Sequence, residues 1–438
     1  MSNKKHGLLA LFLPIFLELL FTILAGTVDT MMLASVGDYA VGAVGTANTY
    51  INVFLVLFTI ISSGMMAVMT QYIGAKRPGI AQQTLRLGLA ANLAAGLIVT
   101  LLLCLGADPI LSAVGIARDL KEPARIYMQT VGAFCVCSAW IPVYTSYLRA
   151  FGHTAATMYS TVFSNIVNLI LNALFLYVLD MGVFGVALAT GISRVVNLIW
   201  VWLVSRYRIP KISDPKQLRS REIFRKIMQV GLPGAMEIVL YNLAMTLVIS
   251  FLNRMDSTGI QAIARTYTAQ IANFSYCASC ALAQANSIMV GWRIGAGELQ
   301  LCDRETRRNA VVGILLAGVG AGLIALFAEP ILRIFTEDPQ IIRLVSILLV
   351  IEIALEMGRS ANMIFGFSLK ATGDAAYPMT IAIVFMFLLA VGGTWLLGVK
   401  LGWLVLGAYI GMCLDECVRA VFMFLRWHKG IWKNKNLL

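Results

Sequence analysis

The feature that most constrains the fold is a series of about twelve long apolar runs separated by short polar gaps. A helix needs about 20 apolar residues to cross the hydrocarbon core of a bilayer, because each residue adds about 1.5 Å. The runs have this length and therefore predict twelve spanning helices. Their approximate bounds are Leu8–Ala34, Val44–Ile73, Leu87–Leu105, Ile126–Leu148, Tyr159–Leu179 and Val183–Val204 in the first half, and Ile227–Leu252, Ala262–Met289, Ala310–Phe327, Leu344–Leu369, Met379–Leu397 and Trp403–Leu425 in the second.

The composition agrees with a surface that meets lipid. Hydrophobic residues make up 59% of the 438-residue chain and charged residues only 13%, about half of the roughly 25% found in soluble domains. The net charge of +12 does not indicate a nucleic-acid partner, because the basic residues are spread over the gaps between runs instead of clustering on one face. Most of the eight cysteines lie inside apolar runs, so they predict no disulfide framework.

The distribution of Lys and Arg predicts the orientation of the chain. Basic gaps alternate with poorer ones, and the basic set includes both ends, so both termini are expected in the cytoplasm. The longest basic segment, 206–226, contains Pro210 and Pro215 and is too polar to span. We interpret it as a cytoplasmic linker between an N-terminal lobe, 1–205, and a C-terminal lobe, 227–438.

Short motifs recur in the two halves at nearly constant spacing. Three pairs lie 219 to 221 residues apart: Leu13–Glu18 with Leu232–Glu237, Ile73–Ala75 with Ile294–Ala296, and Leu148–Gly152 with Leu369–Gly373. Six spans per half give both copies the same orientation, as in parallel repeats. The sequence therefore predicts an all-α polytopic membrane protein with two pseudo-symmetric six-helix lobes.

Ionisable side chains inside the spans are candidates for function, because each costs about 2.5–3.5 kcal/mol in mid-membrane unless it faces protein or water. Glu18 and Asp29 share one face of the first span, about 16 Å apart. Asp29 is the candidate for a proton or cation site, and the alternative is a satisfied or interfacial carboxylate. Pro14 is expected to bend the start of this helix.

Polar residues on the fifth and sixth spans could complete such a site. Asn165, Asn168 and Asn172 lie on one helical face, and Thr190 follows in the next span. A carboxylate, amide oxygens and a hydroxyl suit a hard cation. The same amides could instead join helices by hydrogen bonds.

The second half carries two groups of charged residues on the tenth and twelfth spans: Glu352, Glu356 and Arg359, then Asp415, Glu416 and Arg419. Opposite charges three or four residues apart can pair, so structural ion pairs are one interpretation. Glu237 repeats Glu18 and is expected to play the same part. Tyr241 belongs to a set of aromatic residues that could line a cavity for a flat cation, or only pack.

No enzyme signature is present. The sequence has no GxxxxGK[ST] phosphate-binding loop, so ATP is not expected to drive the protein directly, and no cofactor is predicted. A membrane-embedded enzyme or receptor would need a catalytic dyad or a domain outside the membrane. The short gaps leave no room for either.

These residues resemble the multidrug and toxic compound extrusion (MATE) family over nearly the whole chain. The most specific part is Pro14 followed fifteen residues later by Asp29, and Gln71–Ala75, Leu148–Gly152 and Gly182–Thr190 support it. The resemblance implies a monomeric, multi-pass antiporter of the cytoplasmic (inner) membrane. It would export small organic compounds, often cationic drugs, in exchange for protons or sodium by alternating access between the lobes.

The resemblance assigns ion coupling to Asp29, with Asn168 and Thr190 as its polar partners. Asn172 stands where archaeal and DinF-like members often have a second aspartate, so this chain has one negative charge fewer there. The NorM-like branch has an acidic residue on helix 7, eight residues after the proline, where this chain has Tyr241.

The NorM helix 10 aspartate falls at or near Arg359, so a cation site in the second lobe is not predicted and the chain looks closer to the DinF-like branch. Glu18, Glu237, Tyr241, Glu356 and Arg359 remain candidates for substrate binding or a proton relay. No metal site is predicted apart from a sodium ion at Asp29. A flippase or exporter of a lipid-linked or amphipathic substrate, in the same superfamily, is the alternative function.

Overall fold

The computed structural model describes residues 7–113, 115–210, 212, 218–255, 259–333 and 335–438, and these ranges contain helices but no strand. The α-helices are α1 (Leu8–Ala34), α2 (Asp38–Gly74), α3 (Pro78–Leu105), α4 (Ala107–Ala113), α5 (Arg118–Ala133), α6 (Cys135–Ala150), α7 (Thr154–Ala173), α8 (Gly182–Arg208), α9 (Ser220–Met255), α10 (Ile260–Gly295), α11 (Leu299–Leu326), α12 (Ala328–Leu332), α13 (Pro339–Thr372), α14 (Ala376–Phe385) and α15 (Leu404–His428). Wider π-helical turns extend α7 over Leu174–Val178 and α14 over Met386–Val391 and Thr394–Lys400, and a 3₁₀ turn, Ile431–Asn434, follows α15.

Each predicted apolar run corresponds to one of these helices or to a pair of them. Within the described ranges, eight helices are long and apolar enough to cross a membrane, or nine if α5 and α6 form one span. The other three long helices, α10, α13 and α15, have more polar interiors, which include Glu356 and Asp415. These three are the spans in which side chains must be satisfied by protein.

The fourth predicted span, Ile126–Leu148, is not one straight helix. The axis turns by 51° between α5 and α6, on either side of Phe134. The ring of Phe134 lies directly against the backbone of Gly191 in α8, where a Cβ atom would be only 2.2 Å from a ring carbon. The start of α5 carries several charged residues, beginning with Arg118 and Asp119, and is too polar for lipid.

The linker predicted at 206–226 is shorter in the structure. Helix α8 continues to Arg208 and α9 already begins at Ser220, where Glu222 and Lys226 form an ion pair one turn apart, 3.0 Å. Residues 211 and 213–217 of the predicted linker lie outside the described ranges. The side-chain amide of Gln82, at the start of α3, donates to the carbonyl of Pro210 at 2.7 Å.

The chain divides into two compact units, Met1–Gly231 and Leu232–Leu438, with the division inside α9. The lobe boundaries expected at 205 and 227 remain a prediction. In the first unit, α1 packs along α7, while α2, α3, α5, α6 and α8 surround an apolar core. In the second unit, α13 packs between α10, α11 and α15.

The outer faces of both units are apolar. On α3, Ile98, Leu101 and Leu105 are exposed, and on α11, Leu315 and Val319 are exposed. Side chains of this kind, three or four residues apart, form one stripe on a helix. In a membrane-spanning helix such a stripe contacts lipid, whereas the polar side chains of the same units point inward.

Candidate functional site

The carboxylate of Asp29 lies at the interface between the C-terminal part of α1 and α7. The side-chain nitrogen of Asn172 donates to Asp29 Oδ1 at 2.9 Å. The side-chain amide of Asn168, with its nitrogen toward the carboxylate, donates to both oxygens at 3.0 Å. Among the residues that the structure describes, no basic side chain lies within ion-pair distance of Asp29. This carboxylate is therefore held by neutral donors only.

Thr190, the third predicted partner, does not bind Asp29 in this structure. Its hydroxyl donates to the carbonyl of Val186 in its own helix at 2.9 Å. Thr190 and Asn48 on α2 also lie near the hydroxyl of Tyr127 on α5. Sequence reasoning missed Tyr127, because one tyrosine in an apolar run carries no periodic signal.

Arg194 is a second residue that sequence reasoning missed. It lies inside the predicted span Val183–Val204 and donates from Nη1 to the hydroxyl of Ser138 on α6 at 2.9 Å. A charged residue within an apolar run is itself a signal for a functional site. The position of Arg194 within an apolar run is the sequence signal that marks it as a candidate.

Pro14 does not interrupt α1, which runs from Leu8 to Ala34. Proline has no N–H, so the carbonyl of Ala10, four residues earlier, loses its donor within the helix. The hydroxyl of Thr154, the first residue of α7, donates to this carbonyl at 3.3 Å. A bend of α1 at Pro14 remains a prediction.

Glu18, predicted as a relay or binding residue, is fully occupied by partners within its own unit. Arg149, at the end of α6, forms an ion pair with Glu18 Oε2 at 2.8 Å. The hydroxyl of Thr157 donates to the same oxygen at 2.8 Å, and that of Thr161 donates to Oε1 at 3.3 Å. Glu18 therefore joins α1 to α6 and α7.

The second unit repeats this ion pair at the positions that the internal repeat predicts. Glu237 on α9 pairs with Lys370 on α13 at 2.7 Å. In both units the pair joins the first spanning helix to the fourth. We call these two pairs, Glu18–Arg149 and Glu237–Lys370, the twin ion pairs.

The charged residues of α13 and α15 form one buried network. Arg359 pairs with Glu356 and with Glu416, the latter at 3.3 Å. Arg419 pairs with Asp415 at 2.7 Å and with Glu416 at 2.9 Å. Opposite charges thus pair within each helix and between the two helices. This arrangement is the one expected if these residues form structural ion pairs.

Glu352 is the member of this cluster without a bonded partner. Its side chain is 5% exposed, and no hydrogen bond or ion pair within the described residues reaches it; one oxygen of Glu356, which is 0% exposed, is also unpartnered. Tyr241, on α9, is 39% exposed in the second unit and lies within electrostatic range of Arg359. The structure does not place Tyr241 in the paired network.

The chain matches a known protein family twice, once in each copy of the internal repeat. The family described as MatE matches twice, over residues 14–174 and over residues 233–396. The chain belongs to the MATE family. The two matches begin at the two proline motifs, so the family pattern and the sequence repeat divide the chain in the same way.

Similar proteins extend over the full length of the chain. An uncharacterized transporter, YisQ of Bacillus subtilis, is 31% identical over 100% of this chain and 97% of its own length. A probable multidrug resistance protein NorM of Thermotoga maritima is 25% identical over 99% of this chain and 94% of its own. The name of the first describes a transporter, and that of the second describes a multidrug resistance protein.

Solved structures show the same fold. An outward-facing multidrug resistance MATE family transporter of the MOP superfamily has a TM-score of 0.89, with 20% identity over 98% of this chain and 96% of that chain. A MATE crystal structure in a bent conformation also gives a TM-score of 0.89. The predicted all-α fold with twelve membrane-spanning helices is confirmed.

The family defines the general activity. The protein is a multi-pass protein of the cytoplasmic membrane and a member of a family of multidrug efflux transporters. This family is one of transporters and not of enzymes.

Proposed function

We propose that the protein is a secondary antiporter that exports organic compounds, often cationic, in exchange for protons or sodium ions. The ion enters at Asp29, and the substrate is moved by alternating access between two lobes. The observation that carries this proposal is the surroundings of Asp29, a carboxylate inside a spanning helix with amide partners and no bonded cation.

Neutralisation of Asp29 changes how α1 is held against α7. While the carboxylate is ionised, the bonds from Asn168 and Asn172 are charge-assisted and about twice as strong as bonds between neutral groups. A proton or a sodium ion removes that advantage. The part of α1 around Asp29 is then released from α7, and we expect the helix to bend at or near Pro14.

Coupling in the first unit is also supported by the second unit, where two positions that are acidic in NorM-like members are not acidic. Tyr241 replaces the acidic residue of NorM-like members, and Arg359 lies where their helix 10 aspartate is expected. Arg359 is paired with Glu356 and Glu416. The chain therefore fits the DinF-like branch better, with Asn172 in place of a second acid in its first-lobe site.

The test is transport by purified protein in vesicles, driven separately by a pH gradient and by a sodium gradient, with a panel of fluorescent dye cations. Asp29→Asn is expected to abolish transport driven by the effective gradient and to leave expression intact. Thr30→Ala is the matched control, because the Thr30 hydroxyl only donates to the carbonyl of Gly26 in its own helix. Normal gradient-driven transport by Asp29→Asn would show that coupling does not depend on this carboxylate.

A further inference from the structure

A cavity of about 340 Å³ opens on the first unit where α1 and α7 begin and α8 ends. Ala10 lines it from α1, Thr154 from α7 and Arg208 from α8. Each of these residues lies within three residues of the end of its helix, so the cavity is at the edge of the membrane-spanning part. Its volume is at the lower end of the range for ligand pockets, about 300–1,000 Å³.

The wall that α8 contributes changes from charged to apolar with depth. Arg208, Val204 and Trp200 all line the cavity, and because they are four residues apart they lie on one face of the helix. They extend over about 12 Å along the helix axis. Arg208 is the last residue of α8, whereas the ring of Trp200, two turns deeper, lies 5.3 Å from that of Phe163 on α7. A ligand that matches this wall is polar at one end and apolar at the other.

The polar end of the cavity favours an anion. The described residues that line it include no Asp or Glu. The side chain of Arg208 is exposed and has no hydrogen bond or ion pair within the described ranges. Helix α7 begins beside it at Thr154 without a side-chain cap, so the first N–H groups of this helix add to the positive potential.

The apolar end of the cavity continues onto the outer face of α7. Exposed apolar side chains follow one another there, three or four residues apart, from the cavity toward the middle of the helix. They are Tyr159, Phe163, Ile166 and Ile170. Side chains at this spacing form one stripe, and in a membrane-spanning helix such a stripe contacts the acyl chains of lipids.

We propose that this cavity binds the headgroup of an anionic phospholipid. Arg208 and the start of α7 bind the phosphate group, and an acyl chain lies along the exposed stripe of α7. The gap after α8 is one of the basic gaps expected in the cytoplasm, and the cytoplasmic leaflet carries the negative surface potential that attracts basic side chains.

This lipid site goes beyond the proposed function and is separate from the coupling site. Ala10 and Asp29 are nineteen residues apart on α1, which corresponds to about 28 Å along the helix. A free phosphate ion would use only the polar end of the cavity and would leave the apolar wall formed by Val204 and Trp200 without a partner. The graded wall therefore favours a lipid over a free anion.

The test is native mass spectrometry of the purified, delipidated protein, titrated with phosphatidylglycerol and, in a separate series, with phosphatidylcholine. The first phosphatidylglycerol is expected to bind more tightly than phosphatidylcholine, in which a choline group offsets the phosphate charge. Arg208→Gln is expected to weaken the first phosphatidylglycerol about fivefold, the effect of one basic residue near an anionic lipid. Arg206→Gln is the matched control, because Arg206 is exposed on the same turn but does not line the cavity.

A second variant tests the cavity from its other side. Ala155 is exposed in the first turn of α7 and lines the cavity. Ala155→Asp is expected to keep the fold, because a negative charge near a helix N-terminus is stabilising. The same charge lies where we place the phosphate, so this variant is also expected to weaken the first phosphatidylglycerol. Thermal unfolding of each lipid-free variant checks that it is folded.

Each outcome supports or overturns the lipid site. Weaker binding of phosphatidylglycerol in Arg208→Gln and Ala155→Asp, with wild-type binding in Arg206→Gln, supports it. Equal weakening by Arg206→Gln and Arg208→Gln would show a general attraction to a basic surface and would overturn the site. Displacement of phosphatidylglycerol by inorganic phosphate at constant ionic strength would show that the cavity takes a free anion, and the lipid assignment would be wrong.

Discussion

Asp29 and Glu18 are carboxylates on one helix, three turns apart, yet their surroundings give them different chemistry. Glu18 accepts from Arg149, Thr157 and Thr161. Asp29 accepts from two amides and has no bonded cation within the described chain. The charge of a carboxylate that is paired with a guanidinium is compensated within the protein, whereas a carboxylate with neutral partners is a candidate for binding an ion.

Glu352 and Glu416 in the second unit show the same contrast between a carboxylate without a bonded partner and a paired one, and this contrast gives a prediction. Glu352→Gln is expected to leave the thermal unfolding temperature unchanged or to raise it, because the charge that it removes is buried and has no bonded partner among the described residues. Glu416→Gln is expected to lower this temperature strongly. Glu416 holds both Arg359 and Arg419, and breaking a buried pair costs about 3–5 kcal/mol.

The measurement for both variants is fluorescence-detected thermal unfolding of the purified protein in one detergent, with wild type alongside. Both substitutions replace a glutamate carboxylate with an uncharged amide of the same size. The two sites differ in whether the carboxylate has bonded partners. Equal destabilisation by the two would contradict the view that Glu352 stands outside the ion-pair network.

At the scale of helices, α7 presents one polar stripe to α1 along its whole length. Thr154 meets the carbonyl freed by Pro14, Thr157 and Thr161 meet Glu18, and Asn168 and Asn172 meet Asp29. Spacings of three, four and seven residues keep these side chains on one face. The two helices are thus joined by separate polar contacts at three levels, which can be released one at a time.

The twin ion pairs predict strong coupling between the first and fourth spans of each unit. Glu18→Gln and Arg149→Gln are each expected to destabilise the first unit, since each removes one charge of a partly buried ion pair. The double variant is expected to cost less than the sum of the two. The check is a double-mutant cycle of thermal unfolding, repeated with Glu237→Gln and Lys370→Gln; additive effects in both cycles would exclude direct pairing.

Glycines determine how closely α15 approaches the π-helical turns before it. Gly407 and Gly411, spaced as GxxxG, lie against the backbone near Gly398 and Gly393. A Cβ atom on Gly407 would be 2.5 Å from the nitrogen of Gly398, and Cβ atoms in real proteins essentially never approach a non-bonded atom so closely. Small residues at this spacing allow the backbones of membrane helices to touch.

Gly407→Ala is therefore expected to destabilise the second unit by about 1–3 kcal/mol, as overpacking does. The matched control is Gly322→Ala in α11, where the added Cβ atom would have no neighbour within 4 Å. Alanine favours the helix at that position, so the control should be neutral or stabilising. The measurement is again thermal unfolding, and a Gly407→Ala variant as stable as Gly322→Ala would show that this close approach does not matter.

At the scale of the whole molecule, the two units share sequence motifs and an ion pair but differ in their other buried charged and polar side chains. The family pattern, the proline motifs and the twin ion pairs all occur once per unit. The isolated carboxylate with amide partners occurs in the first unit, and the paired charges of α13 and α15 occur in the second. The two units therefore share the anchoring ion pair, whereas the isolated carboxylate with amide partners belongs to the first unit.

The orientation of the chain in the membrane is a prediction that the distribution of Lys and Arg makes for the whole molecule. In a cysteine-free background, Asp180→Cys, in the gap between α7 and α8, should react with a membrane-impermeant maleimide added to intact cells. Asn434→Cys, after α15, should react only once the cells are opened. The opposite pattern would contradict the cytoplasmic placement of the termini.

The sequence by itself determined the number and approximate position of the spans, the repeat and the face of α7 that carries Asn168 and Asn172. These follow from hydrophobic length and helical period, which are local properties of the chain. The sequence also indicated Asp29 as the candidate for ion coupling, because an isolated carboxylate in an apolar run is energetically costly and therefore rare.

Tertiary structure alone decided which charges meet. The partners of Glu18 and Glu237 are more than 100 residues away, and the Thr190 hydroxyl bonds to a carbonyl of its own helix. The bend between α5 and α6 lies where Phe134 packs against Gly191 of a third helix. Pairing through space is set by the packing of distant helices, and no local pattern encodes it. The role of each buried charge could therefore be argued only once its neighbours were known.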